Sequence, residues 1–162
     1  MVKIEAVITT LSKNDVEYVI VGGIAIRTHS SSYVTFDFDF CYKRTKQNLA
    51  KIVSALARLT PRPRDFPLDL PFIFDESALQ NGTNFTFETK LGDIDLLDEV
   101  AGLGAYEEVK KFSQVESLYG YQVQILTVEG FIKAKRAAGR PKDLLALPIL
   151  ETLLELKNEG EI

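Results

Sequence analysis

The sequence predicts a mixed α/β (α+β) fold: a mixed, mostly antiparallel sheet of about five strands, helices flanking it, and a helical C-terminus. Three observations carry this prediction. Apolar residues at helical spacing alternate with short strand-like runs before residue 57, two hairpin patterns follow between residues 84 and 127, and residues 128–158 read as helix. That order of elements favours helices packed on a mixed sheet. At 162 residues the chain is expected to form a single domain, 1–162.

Each element has its own reason. Ile4, Val7, Ile8 and Leu11 recur at helical spacing and Asn14-Asp15 stops them, giving a first helix of about three turns. Tyr18 to Val21 reads as a short buried strand that Gly22-Gly23 ends, and Ile24 to Thr28 begins a second helix. From Phe36 to Tyr42 the chain alternates, with Phe36, Phe38 and Phe40 on one face and Asp37, Asp39 and Cys41 on the other. Leu49, Ile52, Val53 and Leu56 form the stripe of a third helix, capped by Thr45.

Between Thr60 and Pro71 lie four of the six prolines, so this stretch is a loop of extended segments. Phe66, Leu68, Leu70, Phe72, Ile73 and Phe74 make it too apolar for a solvated linker. Asn84–Thr89 and Asp93–Leu97 form one hairpin around Lys90-Leu91-Gly92, and Gln114–Leu118 with Tyr121–Thr127 form another around Tyr119-Gly120. Phe131 to Ala138 is helical, Gly139 closes that helix and Pro141 opens the next. Pro148 is expected to kink or restart this last helix, which runs to about Leu156.

Composition narrows the chemistry. A single cysteine, Cys41, forms no intramolecular disulfide, and a single histidine, His29, leaves no zinc site unless carboxylates complete it. With 23 acidic against 19 basic residues, the net charge of −4 disfavours a bulk nucleic-acid binder and admits nucleic acid only as an acceptor met by a local basic patch. Neither a signal-like N-terminus nor an apolar run of membrane-spanning length is present, so no membrane partner is expected and the cytoplasm is the expected location. What remains is carboxylate chemistry around a hard cation.

The segment from Val19 to Phe40 suits that chemistry. Paired glycines let a phosphate chain approach the backbone, and Asp37 and Asp39, at positions i and i+2 of a strand, stand roughly 6–7 Å apart at the backbone. Two acids side by side repel, and one or two magnesium ions bridging to phosphates would remove that cost. The strand Gly92–Leu97 presents Asp93 and Asp95 on one face; if it neighbours the Asp37 strand, a third carboxylate joins the first two as ligand or proton acceptor. Alternation alone does not separate Asp93 from Asp95, whereas Asp98 reads as a turn residue.

Val21-Gly22-Gly23-Ile24-Ala25, then Asp37-Phe38-Asp39-Phe40, then Asp95 and the basic segment Ala138-Gly139-Arg140-Pro141-Lys142-Asp143-Leu144 resemble the nucleotidyltransferase superfamily with the DNA polymerase beta-like palm. The likeness is closest to its small bacterial and archaeal branch, which includes minimal nucleotidyltransferases and AbiEii-type toxins. His29 and Thr35-Phe36-Asp37 resemble that branch between glycines and aspartates; Tyr33 and Ala146 depart from it, standing where a basic residue and an aspartate are expected. The resemblance implies transfer of a nucleoside monophosphate from a nucleoside triphosphate to an acceptor hydroxyl on a protein, RNA end or small molecule, with Mg2+ or Mn2+ as cofactor. It implies Asp37, Asp39 and Asp95 as catalytic metal ligands and Gly22, Gly23, Arg140 and Lys142 as nucleotide contacts.

Bland roles stand beside these. Lys133 and Arg136 also fit a solvated basic helix face, Asp143 fits a helix-dipole partner, His29 a surface residue and Cys41 a small buried one. A competing function is a non-catalytic, nucleotide-sensing subunit of a toxin–antitoxin-like module with a small helical protein partner. A metal-dependent nuclease fits less well, because it leaves the glycine pair without a task.

Overall fold

The structure, a computed structural model, describes residues 1–29 and 36–160. The expectations placed on Tyr33, Thr35 and the His29 side chain lie outside the described residues. Elements run α1 (Ile4–Lys13), β1 (Tyr18–Ile20), α2 (Gly23–His29), β2 (Asp37–Tyr42), α3 (Lys46–Leu56), β3 (Arg62–Pro63), α4 (Glu76–Gln80), β4 (Phe85–Thr89) and β5 (Gly92–Leu97). They continue with β6 (Glu99–Val100), β7 (Gly104–Ala105), α5 (Tyr106–Lys111), β8 (Ser113–Leu118), β9 (Tyr121–Leu126), α6 (Val128–Ala138) and α7 (Pro141–Asn158).

A mixed sheet in the order β3-β4-β5-β2-β1-β9-β8 forms the frame. Its β2–β5 and β1–β9 pairings are parallel and the other four antiparallel, as the sequence predicts. It has seven strands where about five were expected: β3 is a two-residue edge strand in the proline-rich stretch, too short to show a period. Strands β6 and β7 pair separately. Helices α4 and α5, of five and six residues, are likewise too short to announce themselves by periodicity.

The two central strands explain the aromatic alternation. Phe38 and Phe40 of β2 and Ile94 and Leu96 of β5 are fully buried, and each such side chain contributes roughly 1.5–3 kcal/mol on leaving water. Because side chains alternate, the partners of this apolar face are carboxylates on the other. Phe36 does not join the core. Pairing begins at Asp37 opposite Asp93, so Phe36 precedes the strand and is 64% exposed.

Other junctions fix the frame around β1 and β2. Asn48 on α3 is fully buried; its side chain accepts from Glu17 N–H at 2.8 Å and donates to the carbonyls of Glu17 and Lys43 at 3.0 and 2.7 Å. Thr45 caps α3 as expected, its hydroxyl accepting from Asn48 N–H. Gly139, at φ 65°, ends α6 in the left-handed conformation that glycine adopts without strain. Helix α7 then runs continuously through Pro148 instead of restarting there; the ring lies on an exposed side, where water can satisfy the carbonyl of Leu144 that loses its donor. Among the described residues no helix is long and apolar enough to cross a membrane.

Candidate active site

Parallel pairing of β2 with β5 sets Asp37 opposite Asp93 and Asp39 opposite Asp95, which places all four carboxylates on one face at one end of the two strands. Three of them converge: Asp37, Asp39 and Asp95 each offer an oxygen within 4.8 Å of the others. The choice the sequence leaves open between Asp93 and Asp95 is thereby settled in geometry, since Asp93 is not part of this group.

Strand β1 supplies the wall beside them. Val21 N–H donates to the carbonyl of Asp39 at 3.0 Å, so β1 runs one residue past its assigned end alongside the aspartate. The next residue, Gly22, is in such close contact that a Cβ there would fall 1.8 Å from Asp39 Oδ2. Gly22 is therefore glycine because the Asp39 carboxylate occupies the space of its missing side chain. Gly23 opens α2 directly after it.

The electrostatics are those of acids forced together. The Asp39 carboxyl is pushed up to about 7, first by burial and then by Asp95 and Asp37. Asp95 is also raised, by burial, against the opposing pull of Arg64. Arg64 Nη2 donates to Asp95 Oδ1 at 2.8 Å, and its Nε lies 3.5 Å from Asp93 Oδ2. Among the described residues, Asp39 Oδ1 is buried with no hydrogen-bond partner. An orphaned carboxylate oxygen within a cluster of three hard oxygen donors, with no histidine or cysteine among them, fits a divalent cation such as Mg2+ or Mn2+.

A cavity of about 220 Å³ lies beside Asp39, with Gly22, Asp39, Lys135, Arg140 and Asp143 in its wall and apolar side chains including Phe131 between. Asp143 is fully buried. It accepts from Arg140 through Nε at 2.5 Å, from Lys135 Nζ at 3.2 Å and from the Arg140 backbone N–H at 3.2 Å. The Arg140 hydrogen bond, followed by Lys135, holds its carboxyl down to about 2. Asp143 thus closes the N-terminus of α7 and also holds two cations at the cavity, so the helix-dipole role and a site role coexist.

Of the residues named from sequence, Asp37, Asp39 and Asp95 come together with Gly22 against Asp39, Gly23 follows directly, and Arg140 shares the cavity wall with Gly22 and Asp39. Lys142 is exposed on the first turn of α7 and is not in the cavity wall. Lys133 lies over the Phe112 ring at 4.9 Å and Arg136 pairs with Glu151 at 2.7 Å, so both have structural tasks. Cys41 is fully buried with its thiol pushed up to about 12 by burial, which makes it inert. Sequence reasoning missed Arg64 and assigned Lys135 no contact. The available signal for Arg64 was Arg62-Pro63-Arg64, two cations at the start of a proline-rich, largely apolar stretch.

No protein-family model matches the sequence, and no curated protein matches it. Among solved structures, the chain is similar to the crystal structure of "a putative nucleotidyltransferase" from Thermotoga maritima, with a TM-score of 0.53 at 12% identity. The likeness covers 98% of this chain and 96% of that one. The fold is nucleotidyltransferase-like, and it carries a half-buried acidic triad, Asp37, Asp39 and Asp95, of a kind consistent with metal-dependent catalysis.

Proposed function

We propose that residues 1–162 act as one unit, a nucleotidyltransferase that moves a nucleoside monophosphate from a nucleoside triphosphate to an acceptor hydroxyl, releasing pyrophosphate. The observation that carries this reading is the convergence of three carboxylates against Gly22, where a side chain would collide with Asp39, with Asp39 also in the wall of a cavity that Lys135 and Arg140 border. Asp37, Asp39 and Asp95 would hold Mg2+ or Mn2+, which when bound neutralises the clustered charge and polarises the phosphates.

The chain's own residues supply the rest. Gly22 leaves room for the Asp39 carboxylate itself, and Gly23, at the start of α2, lets the triphosphate approach the backbone beyond it. Lys135 and Arg140, held by Asp143, bring positive charge into the same cavity, whereas Lys142 lies exposed outside its wall and would meet only a part of the nucleotide that projects from it. Asp95 would also take the proton of the attacking hydroxyl. In-line attack on the α-phosphorus then needs only that both reactants be held in register.

Isothermal titration of the protein with each nucleoside triphosphate in Mg2+ tests the binding half. Saturable binding is expected, and the double variant Asp37→Ala, Asp39→Ala should lose at least about tenfold in affinity, as removal of metal-orienting groups does. Binding that the double variant leaves unchanged would remove the triad from the site.

A second reading has one observation behind it. Leu144, Leu145 and Ile149 on α7 are 48%, 77% and 52% exposed, an apolar face that suits a small helical partner in a toxin–antitoxin-like module of the AbiEii kind. In that case the nucleotide would be sensed and not turned over.

A further inference from the structure

We propose that Arg64 is a positioning residue of the metal site: anchored by Asp93, its guanidinium holds Asp95 toward Asp37 and Asp39. The inference rests on the metal-site reading above. Asp93 and Asp95 stand two residues apart on the same face of β5, yet only Asp95 reaches the other two acids. Arg64 spans the pair: Nη2 hydrogen-bonds Asp95 Oδ1 at 2.8 Å, and Nε, which makes no hydrogen bond among the described residues, forms a longer ion pair with Asp93 Oδ2 at 3.5 Å. A planar guanidinium can hold two carboxylates at once in this way, whereas a lysine ammonium is a single point of charge.

The backbone of Arg64 is fixed as well. Its N–H donates to the carbonyl of Thr86 at 2.8 Å, and Thr86 is the residue of β4 that stands directly opposite Asp95. Two residues earlier, Arg62 closes the proline-rich stretch on itself: its Nη2 donates to the carbonyls of Pro67 and Leu70, and its guanidinium lies 5.0 Å from the centre of the Phe66 ring. Phe66 packs on Phe72, which packs on Phe87 of β4. The stretch therefore presents Arg64 to β5 from a structured base, with the side chain 27% exposed. A side chain so anchored stays beside Asp95 and orients it.

Two effects of Arg64 on a cation have opposite signs. Its charge repels a cation, so charge alone predicts tighter binding once it is removed; orientation of Asp95 predicts weaker binding. Mn2+ titration followed by electron paramagnetic resonance, without nucleotide, decides between them. The expected result is a loss of about tenfold or more in Mn2+ affinity for both Arg64→Met and Arg64→Lys, since lysine keeps the charge and not the span. Asp93→Asn should weaken binding in the same direction.

Mn2+ affinity that is unchanged or higher in Arg64→Met, or fully retained in Arg64→Lys, overturns the inference and leaves the metal site standing. Native protein that binds no Mn2+, or binds it equally well as the Asp37→Ala, Asp39→Ala variant, overturns the metal-site reading and this inference with it. Thermal unfolding of each variant confirms that it is folded. Arg64→Lys, which retains the cation among the acids, keeps the test open if Arg64→Met does not fold.

Discussion

Asp39→Asn is expected to abolish nucleotidyl transfer, by at least about a thousandfold, while making the metal-free protein more stable at pH 8. Asp39 sits where burial and two neighbouring acids raise its carboxyl to about 7 from the ordinary 3.8. Between those two values the folded chain holds a proton that the unfolded chain has released. Stability from this group is therefore fully present below pH 4 and is lost as pH rises through 7. The loss across that window is at most about 4 kcal/mol for a shift of this size, shared with Asp95 as one titrating pair.

Asparagine has the same shape and no charge to bury, so the metal-free variant should lose little stability over the same range. Thermal unfolding in chelator at pH 5 and pH 8 reads this directly. The native midpoint should fall between the two pH values and recover on adding Mg2+ at pH 8, and the variant should do neither. A native protein whose metal-free stability rises from pH 5 to 8 would show that the triad is not a cluster of forced neighbours.

The second large effect belongs to Gly22→Ala. The added methyl would stand 1.8 Å from Asp39 Oδ2 and 2.6 Å from Asp39 Cβ, distances that no rotation of a short side chain relieves. Because Val21 is hydrogen-bonded to the Asp39 backbone, relief requires β1 to move against β2 or the carboxylate to leave the triad. Either cost is that of overpacking, about 1–3 kcal/mol, with a fall of several degrees in Tm. Activity should fall further than stability, by about a hundredfold or more, since a displacement of about 1 Å in a reacting group has that effect. A variant that melts a few degrees lower and keeps native turnover would place Gly22 outside the reaction.

The aspartates were legible because their pattern is local. Alternation along β2 and β5 states which residues share a face, and the parallel β2–β5 register then brings the two strands' acids together. The glycine pair and the Gly139-Arg140-Pro141 punctuation between α6 and α7 are likewise local signals, and they marked the right turns. What alternation could not separate was Asp93 from Asp95. That distinction is long-range: the β2–β5 register sets Asp95 opposite Asp39, and Arg64, which contacts both acids, arrives from a loop some thirty residues earlier through the β3–β4–β5 pairings.

The burial of Asn48 and the partner of Lys135 were hidden for the same reason. Asn48 looked like an ordinary polar residue in the first turn of a helix, and its burial follows only from the meeting of α3 with the ends of β1 and β2. Lys135 points at Asp143 because α6 and α7 fold back on each other, which places a helix C-terminus beside the next helix's start. Phe36 failed in the opposite way: the alternation is real, but pairing begins one residue later than the period suggests. In each case a long-range pairing decided what a local pattern left open.

The most direct measurement follows two labels through one reaction. Purified protein and Mg2+ are incubated with an extract as acceptor source and a nucleoside triphosphate labelled at either the α- or the γ-phosphorus. The expected result is transfer of the α label to an acceptor, appearance of the γ label in pyrophosphate, and loss of both in the Asp37→Ala, Asp39→Ala variant. Transfer of the γ label, equal transfer by the double variant, or a native protein that binds nucleotide and leaves both labels in the triphosphate would contradict nucleotidyl transfer at this triad.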